Sequence, residues 1–177
     1  MSDWKMNQNR NIKIEKITLN IGAGKEQGVL EKGMKLLEYI TGILPVKTIT
    51  QKRIPTWGLR PGLPIGCKLT LRGKDKLEFV KRLLKAKNNQ LRRTNFDKEG
   101  NISFGILEYI DVPGVKYNPD IGLTGFQVCF TLSRNGFRVK NRKIMNRVIP
   151  HKHRITQDEA IEFMKKDFGI VVEEKEK

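Results

Sequence analysis

Four stretches of this chain alternate apolar and polar residues with a period of two, and that pattern constrains the fold more than any other. Ile17, Leu19 and Ile21 interleave with Lys16, Thr18 and Asn20; Cys67, Leu69 and Leu71 interleave with Lys68, Thr70 and Arg72. In "ISFGILEYIDV" the apolar set is Ile102, Phe104 and Ile106, opposite Ser103 and Gly105, and in "GFQVCFTLS" it is Phe126, Val128, Phe130 and Leu132. Successive side chains of a strand point to opposite faces, so each stretch predicts a strand buried on one side only. A shorter β-rich run, "VKTITQ", follows Pro45.

Between these runs the spacing changes to that of helices. "GVLEKGMKLLEYITG" places Leu30, Met34, Leu37 and either Tyr39 or Ile40 on one face and ends near Gly42, and "KDKLEFVKRLLKAK" offers Leu77, Val80, Leu83 and Leu84. "TQDEAIEFMKKDFGI" predicts a third helix, with Thr156 and Glu159 as a capping box, Asp158 and Glu159 at its positive end and Gly169 as its stop. Half-buried strands and one-faced helices bury their apolar sides most simply on each other. The expected fold class is therefore α+β: a single two-layer domain over residues 1–177, with a mostly antiparallel sheet, helices packed on one face and the other face exposed. "NFDKEGN" reads as a turn, residues 54–66 as a long Pro/Gly loop, and 170–177 as a charged, frayed tail.

The exposed face matters because of charge. Thirty-five Lys and Arg against nineteen Asp and Glu leave a net charge of +16, an excess that calls for a polyanionic partner. No window approaches the ~20 apolar residues of a membrane span, the N-terminus "MSDWKMNQNR" has no secretory core, and there is neither a basic amphipathic helix at the chain end nor a lipidation motif. The expectation is a cytoplasmic RNA-binding chain with no membrane partner. From Arg134 to Arg154 eight Lys or Arg and two His occur without one acidic residue, interleaved with Phe137, Val139, Ile144, Met145 and Val148. This basic element is expected to order partly on the domain and partly on RNA. The candidate RNA-binding residues are Lys16, Asn20, Gly22, Gly24, Lys52, Arg53, Lys68, Thr70, Arg72, Arg138, Lys140, Arg142, Lys143 and Arg147.

Catalytic motifs fail on spacing. "LNIGAGKE" has the texture of a phosphate loop, yet a Walker loop would need Gly at Leu19 and a hydroxyl at Glu26, and the dinucleotide pattern would need Gly at Gln27. What remains is a strand-to-helix turn whose amides at Gly22 to Gly24 could meet a phosphate. His151 and His153 have no carboxylate or thiol in their run to complete a metal or acid–base site, Glu108, Asp111 and Asp120 are not linked by spacing to a partner, and Ser133 lacks a nucleophile-elbow context. Cys67 and Cys129 form no C-x-x-C pair and read as small core hydrophobes. No enzyme, cofactor or metal is expected. A free RNA chaperone, or an RNA-modifying enzyme using His151 with Glu108 or Asp111, are the alternatives.

The stretches "KITLNIGAGKE", "RPGLPIGCKLTLRGKDKLEF", "NFDKEGNISFGILEYIDVPGVKYNPDIG" and "RITQDEAIEFM" occur in the order of one family and cover most of residues 12–168. In them the chain resembles the universal large-subunit ribosomal protein called L five, and its basic run resembles the archaeal branch. The resemblance implies a structural protein that holds 5S ribosomal RNA in the central protuberance, with large-subunit RNA, neighbouring large-subunit proteins, P-site tRNA and a small-subunit head protein as further partners. It implies 5S RNA contacts at Asn20 and Thr70, and a tRNA-elbow contact from the loop carrying Trp57, Arg60 and Gly62. One departure is Ile43, where many members carry a Gln that hydrogen-bonds RNA.

Overall fold

The computed structural model describes residues 7–73 and 76–173. The stretch read for a secretory signal lies partly outside them, as do Lys74, Asp75 and the last four residues of the charged tail. Among the described residues seven strands and four helices are formed: β1 (Lys13–Gly22), α1 (Gln27–Thr41), β2 (Val46–Ile49), β3 (Pro64–Leu71), α2 (Lys76–Lys85), β4 (Gln90–Arg92), β5 (Ile102–Ile106), β6 (Phe126–Ser133), α3 (Arg138–Asn141), α4 (Gln157–Phe168) and β7 (Val171–Glu173). Five strands make a mostly antiparallel sheet in the order β2-β3-β1-β6-β5, and β4 and β7 pair separately and in parallel. The α+β class and the four alternating strands are as the periodicity predicts: Ile17, Leu19, Cys67, Ile102, Val128 and Phe130 are fully buried. Each such aliphatic or aromatic side chain contributes about 1.5–3 kcal/mol by leaving water.

Contacts gather the chain into two compact units. One is Ile17–Asn88 with Phe104–Cys129, the other Met1–Lys16, Asn89–Ser103 and Phe130–Lys177. In the first unit α1 lies on the apolar face of β1 and β3. A Cβ on Gly33 would stand 3.1 Å from Ile21 and 3.4 Å from Cys67, so the glycine lets the helix axis approach the strands closely. The buried face of α1 is Leu30, Gly33, Leu36, Leu37 and Ile40; Leu36 replaces the half-buried Met34, and Tyr39 is exposed. In α2 Phe79, Val80, Leu83 and Leu84 are buried, whereas Leu77, expected inward, is half exposed because it lies in the first turn.

In the second unit α4 carries the expected capping box. Thr156 Oγ1 accepts from the Glu159 N–H, Glu159 Oε2 accepts from the Thr156 N–H, and Gly169 ends the helix at φ +63°. The expected fraying from residue 170 does not hold for its first residues. Ile170 is buried, the Val171 N–H donates to Asn89 O at 2.9 Å, and Val171–Glu173 pairs with β4. A tail rich in charge still forms a strand here because its first three residues after Gly169 are Ile, Val and Val.

Candidate nucleic-acid interface

The register of β1 on β3 builds the exposed face of the first unit. Thr18 stands opposite Thr70 and Asn20 opposite Lys68, while Leu19 and Ile21 pair with Leu69 and Cys67 on the buried side. The alternation therefore sorts hydroxyls, an amide and an ammonium into one patch. Asn20 Nδ2 donates to Gln127 Oε1 of β6 at 3.1 Å, which extends the patch across a third strand and fixes the carboxamide. Gln127 escaped the list of candidates, although its place between the buried Phe126 and Val128 is a signal for it. Arg72, expected on this face, sits just past the end of β3 and lines a hollow of about 310 Å³ with Ile43, Phe79 and Arg82.

The turn after β1 corrects one expectation. The N–H groups of Ala23 and Gly24 both donate to Ile65 O, at 2.9 and 3.1 Å, so they are not available to a phosphate. The turn must close on β3, and Gly24 supplies the left-handed backbone (φ +59°) that does it. Gly22 lies opposite Gly66, where an added Cβ would collide with Ile21 O.

The long Pro/Gly loop is ordered by its own backbone. Thr50 N–H donates to Leu63 O and Gly62 N–H to Thr50 O, while Ile54 and Leu59 exchange two hydrogen bonds. Leu59 is buried beneath it, and the Thr50 hydroxyl also donates to Leu63 O. Trp57 is left 67 % exposed near the tip, with Lys52, Arg53, Arg60 and Gly62 exposed around it.

The basic element belongs to the second unit and has two parts. Arg134 is 4 % exposed and structural: Nη2 pairs with Glu159 Oε1 at 2.8 Å, and Nη1 donates to the carbonyls of His153 and Arg154. Its partner lies 25 residues downstream in a helix cap, which no local pattern announces. Burial pushes the Glu159 carboxyl up, but the Thr156 N–H, the Arg134 guanidinium and the Thr156 hydroxyl outweigh it and hold the group below its usual value. Beyond Arg134, residues 141–148 are exposed, with Arg142 Nε donating to Met145 O and Met145 held at φ +55°. Lys16, Lys140 and Arg147 come together with Arg154 around one cleft, while Arg138 and Lys143 are exposed outside its lining.

The remaining chemistry-bearing residues have structural surroundings. His153 Nε2 lies 2.9 Å from Asn135 O and its ring meets Phe137 edge-on; His151 is exposed on the same single turn. Glu108, Asp111 and Asp120 are exposed, and Ser133 is buried. Cys67 is a core residue as expected. Cys129 is only half buried, because the alternation of β6 turns it away from Val128 and Phe130; burial raises both thiols above their usual value.

A cationic α+β chain with a patch of hydroxyls and amides on its sheet has the make-up of a protein that binds a polyanion. Comparison with known proteins makes this specific. Residues 7–60 match the family model described as ribosomal protein L5, and residues 64–170 match the model of the same ribosomal family's C-terminus. The large ribosomal subunit protein uL5 of Sulfurisphaera tokodaii is 42 % identical over 96 % of both chains. Its namesake in Sulfolobus acidocaldarius is 43 % identical over 95 % of this chain and 94 % of its own, and that of Methanococcus maripaludis strain C5 is 44 % identical over 96 % and 95 %. The chain belongs to the ribosomal L5 family of large-subunit proteins.

Proposed function

We propose that this chain works on the ribosome, in the cytoplasm, as the protein that holds 5S ribosomal RNA in the central protuberance of the large subunit. The observation that carries the reading is the patch formed by Thr18, Asn20, Lys68, Thr70 and Gln127, set by strand register on the face of the sheet opposite α1. Hydroxyls and amides of this kind hydrogen-bond RNA 2′-hydroxyls and phosphates and fix register, while Lys and Arg supply affinity. Lys16, Lys52, Arg53, Arg138, Lys140, Arg142, Lys143 and Arg147 provide that cationic component. The exposed Trp57, with Arg60 beside it on a hydrogen-bonded loop, suits stacking on the elbow of P-site tRNA. Neighbouring large-subunit RNA and proteins, and a protein of the small-subunit head, complete the set of partners.

Filter binding of the purified protein to 5S RNA, against an unrelated hairpin of equal length at moderate salt, tests the central claim. Preferential retention of 5S RNA is expected. Equal retention of the hairpin would reduce the protein to a non-specific cation.

A further inference from the structure

The cleft in the second unit has the chemistry of a nucleotide site. It holds about 510 Å³, within the roughly 300–1,000 Å³ of small-ligand sites. The cations Lys16, Lys140, Arg147 and Arg154 border it. Arg154 is held in place, with Nε donating to Ile149 O at 3.3 Å and Nη1 lying 3.8 Å from Oε1 of Glu99, which also lines the cleft. Leu132, Val148, Ile149 and Phe137 supply apolar wall. The Phe137 and His153 rings meet in a T-shaped contact, centroids 5.7 Å apart, and Lys140 Nζ lies 5.4 Å from the Phe137 ring centroid.

Three neutral polar side chains, Asn101, Thr131 and Asn146, also line the cleft, and none has a side-chain hydrogen-bond partner among the described residues. An aromatic wall with unpaired amides and a hydroxyl matches a base, its face by stacking and its edge by hydrogen bonds. The surrounding cations match the phosphates on either side of it. An acidic peptide would satisfy the cations but offers no flat π face to stack on the ring.

We propose that this cleft takes one unpaired nucleotide of an RNA strand, seating the base against Phe137 with its edge toward Asn101, Thr131 and Asn146. The inference rests on the RNA-binding reading above and adds a second contact, of a different kind from the sheet patch. It is tested on the full chain by methyl NMR of Leu132, Val148, Ile149 and Ile155. Three probes are titrated: pentauridylate, the same oligonucleotide with its central base removed, and pentaglutamate. Saturable shifts of these methyls by pentauridylate are expected, roughly tenfold weaker for the abasic strand, which corresponds to about 1.4 kcal/mol of base stacking. Asn146→Ala, at an exposed position outside regular structure, is expected to weaken pentauridylate while leaving the fold intact.

Equal affinity for the abasic strand, or for pentaglutamate, would overturn the proposal in favour of charge alone. Should the protein retain 5S RNA on a filter while pentauridylate leaves these methyls unmoved, the cleft proposal falls and the sheet-face reading stands. Failure of 5S RNA binding itself would remove the reading beneath both.

Discussion

Thr70 and Glu159 are both polar residues on regular elements, yet they do opposite kinds of work. Thr70 is exposed opposite Thr18, so its hydroxyl is available to a partner and its loss leaves the core untouched. Thr70→Ala is expected to weaken 5S RNA binding by about 1–3 kcal/mol, the weight of a hydrogen bond buried on association, with unchanged unfolding by urea. A Thr70→Ala protein of wild-type affinity would remove the residue from the interface. Glu159 instead serves the fold, capping α4 and neutralising the buried Arg134. Its pKa in the folded chain lies below the ordinary 4.5. A carboxyl depressed on folding contributes stability that is fully present above its unfolded value and is lost as pH falls through its folded value. Urea midpoints followed from neutral pH down through the carboxylate range should therefore fall less steeply for Glu159→Gln than for the parent. The variant should also start lower, because the Arg134 cation keeps only carbonyl partners; parallel curves would show that the pair contributes nothing.

At the scale of elements, the close approach of β1 and β3 is the feature least tolerant of change. Gly66→Ala would drive a Cβ into the Ile21 carbonyl oxygen, which is backbone and cannot rotate away. Destabilisation by about 2–3 kcal/mol is expected from chemical denaturation, as for overpacking. A neutral substitution would mean that the strands are further apart at Gly22 and Gly66 than their register implies. The loop around Trp57 behaves differently, since its order comes from backbone hydrogen bonds and from Leu59 beneath it. Trp57→Ala should leave the unfolding midpoint within error and weaken tRNA retention by reconstituted subunits. A lower midpoint would show that the ring supports the loop instead.

For the whole molecule the governing quantity is its charge. At +16 the chain repels itself until a polyanion neutralises it. If the proposed 5S RNA contact neutralises about six phosphates, affinity measured by filter binding is expected to fall roughly a thousandfold between about 50 and 200 mM salt. Arg147→Ala should lower affinity modestly and flatten that slope by about one unit, as removal of one phosphate contact does. Salt-independent affinity would show that hydrogen bonding, rather than counterion release, dominates.

The four alternating strands, most of the buried faces of α1 and α2 and the cap of α4 could be read from the sequence, because period-two and period-3.6 burial and capping depend only on near neighbours. The polar face carrying Asn20, Lys68 and Thr70 was legible for the same reason. Tertiary structure alone decided matters that depend on residues far apart in the chain. Arg134 became a buried strut because its carboxylate lies in a distant helix cap, and the Gly24 amide turned to Ile65 because β3 had to be closed against β1. The charged tail yielded a strand because Asn89 and β4 offered it a backbone to pair with. Lys16, Lys140, Arg147 and Arg154 share one cleft only because the folded chain brings the start of the protein to its basic run. Sequence periodicity determines which side of an element is wet; only packing determines which wet residues meet.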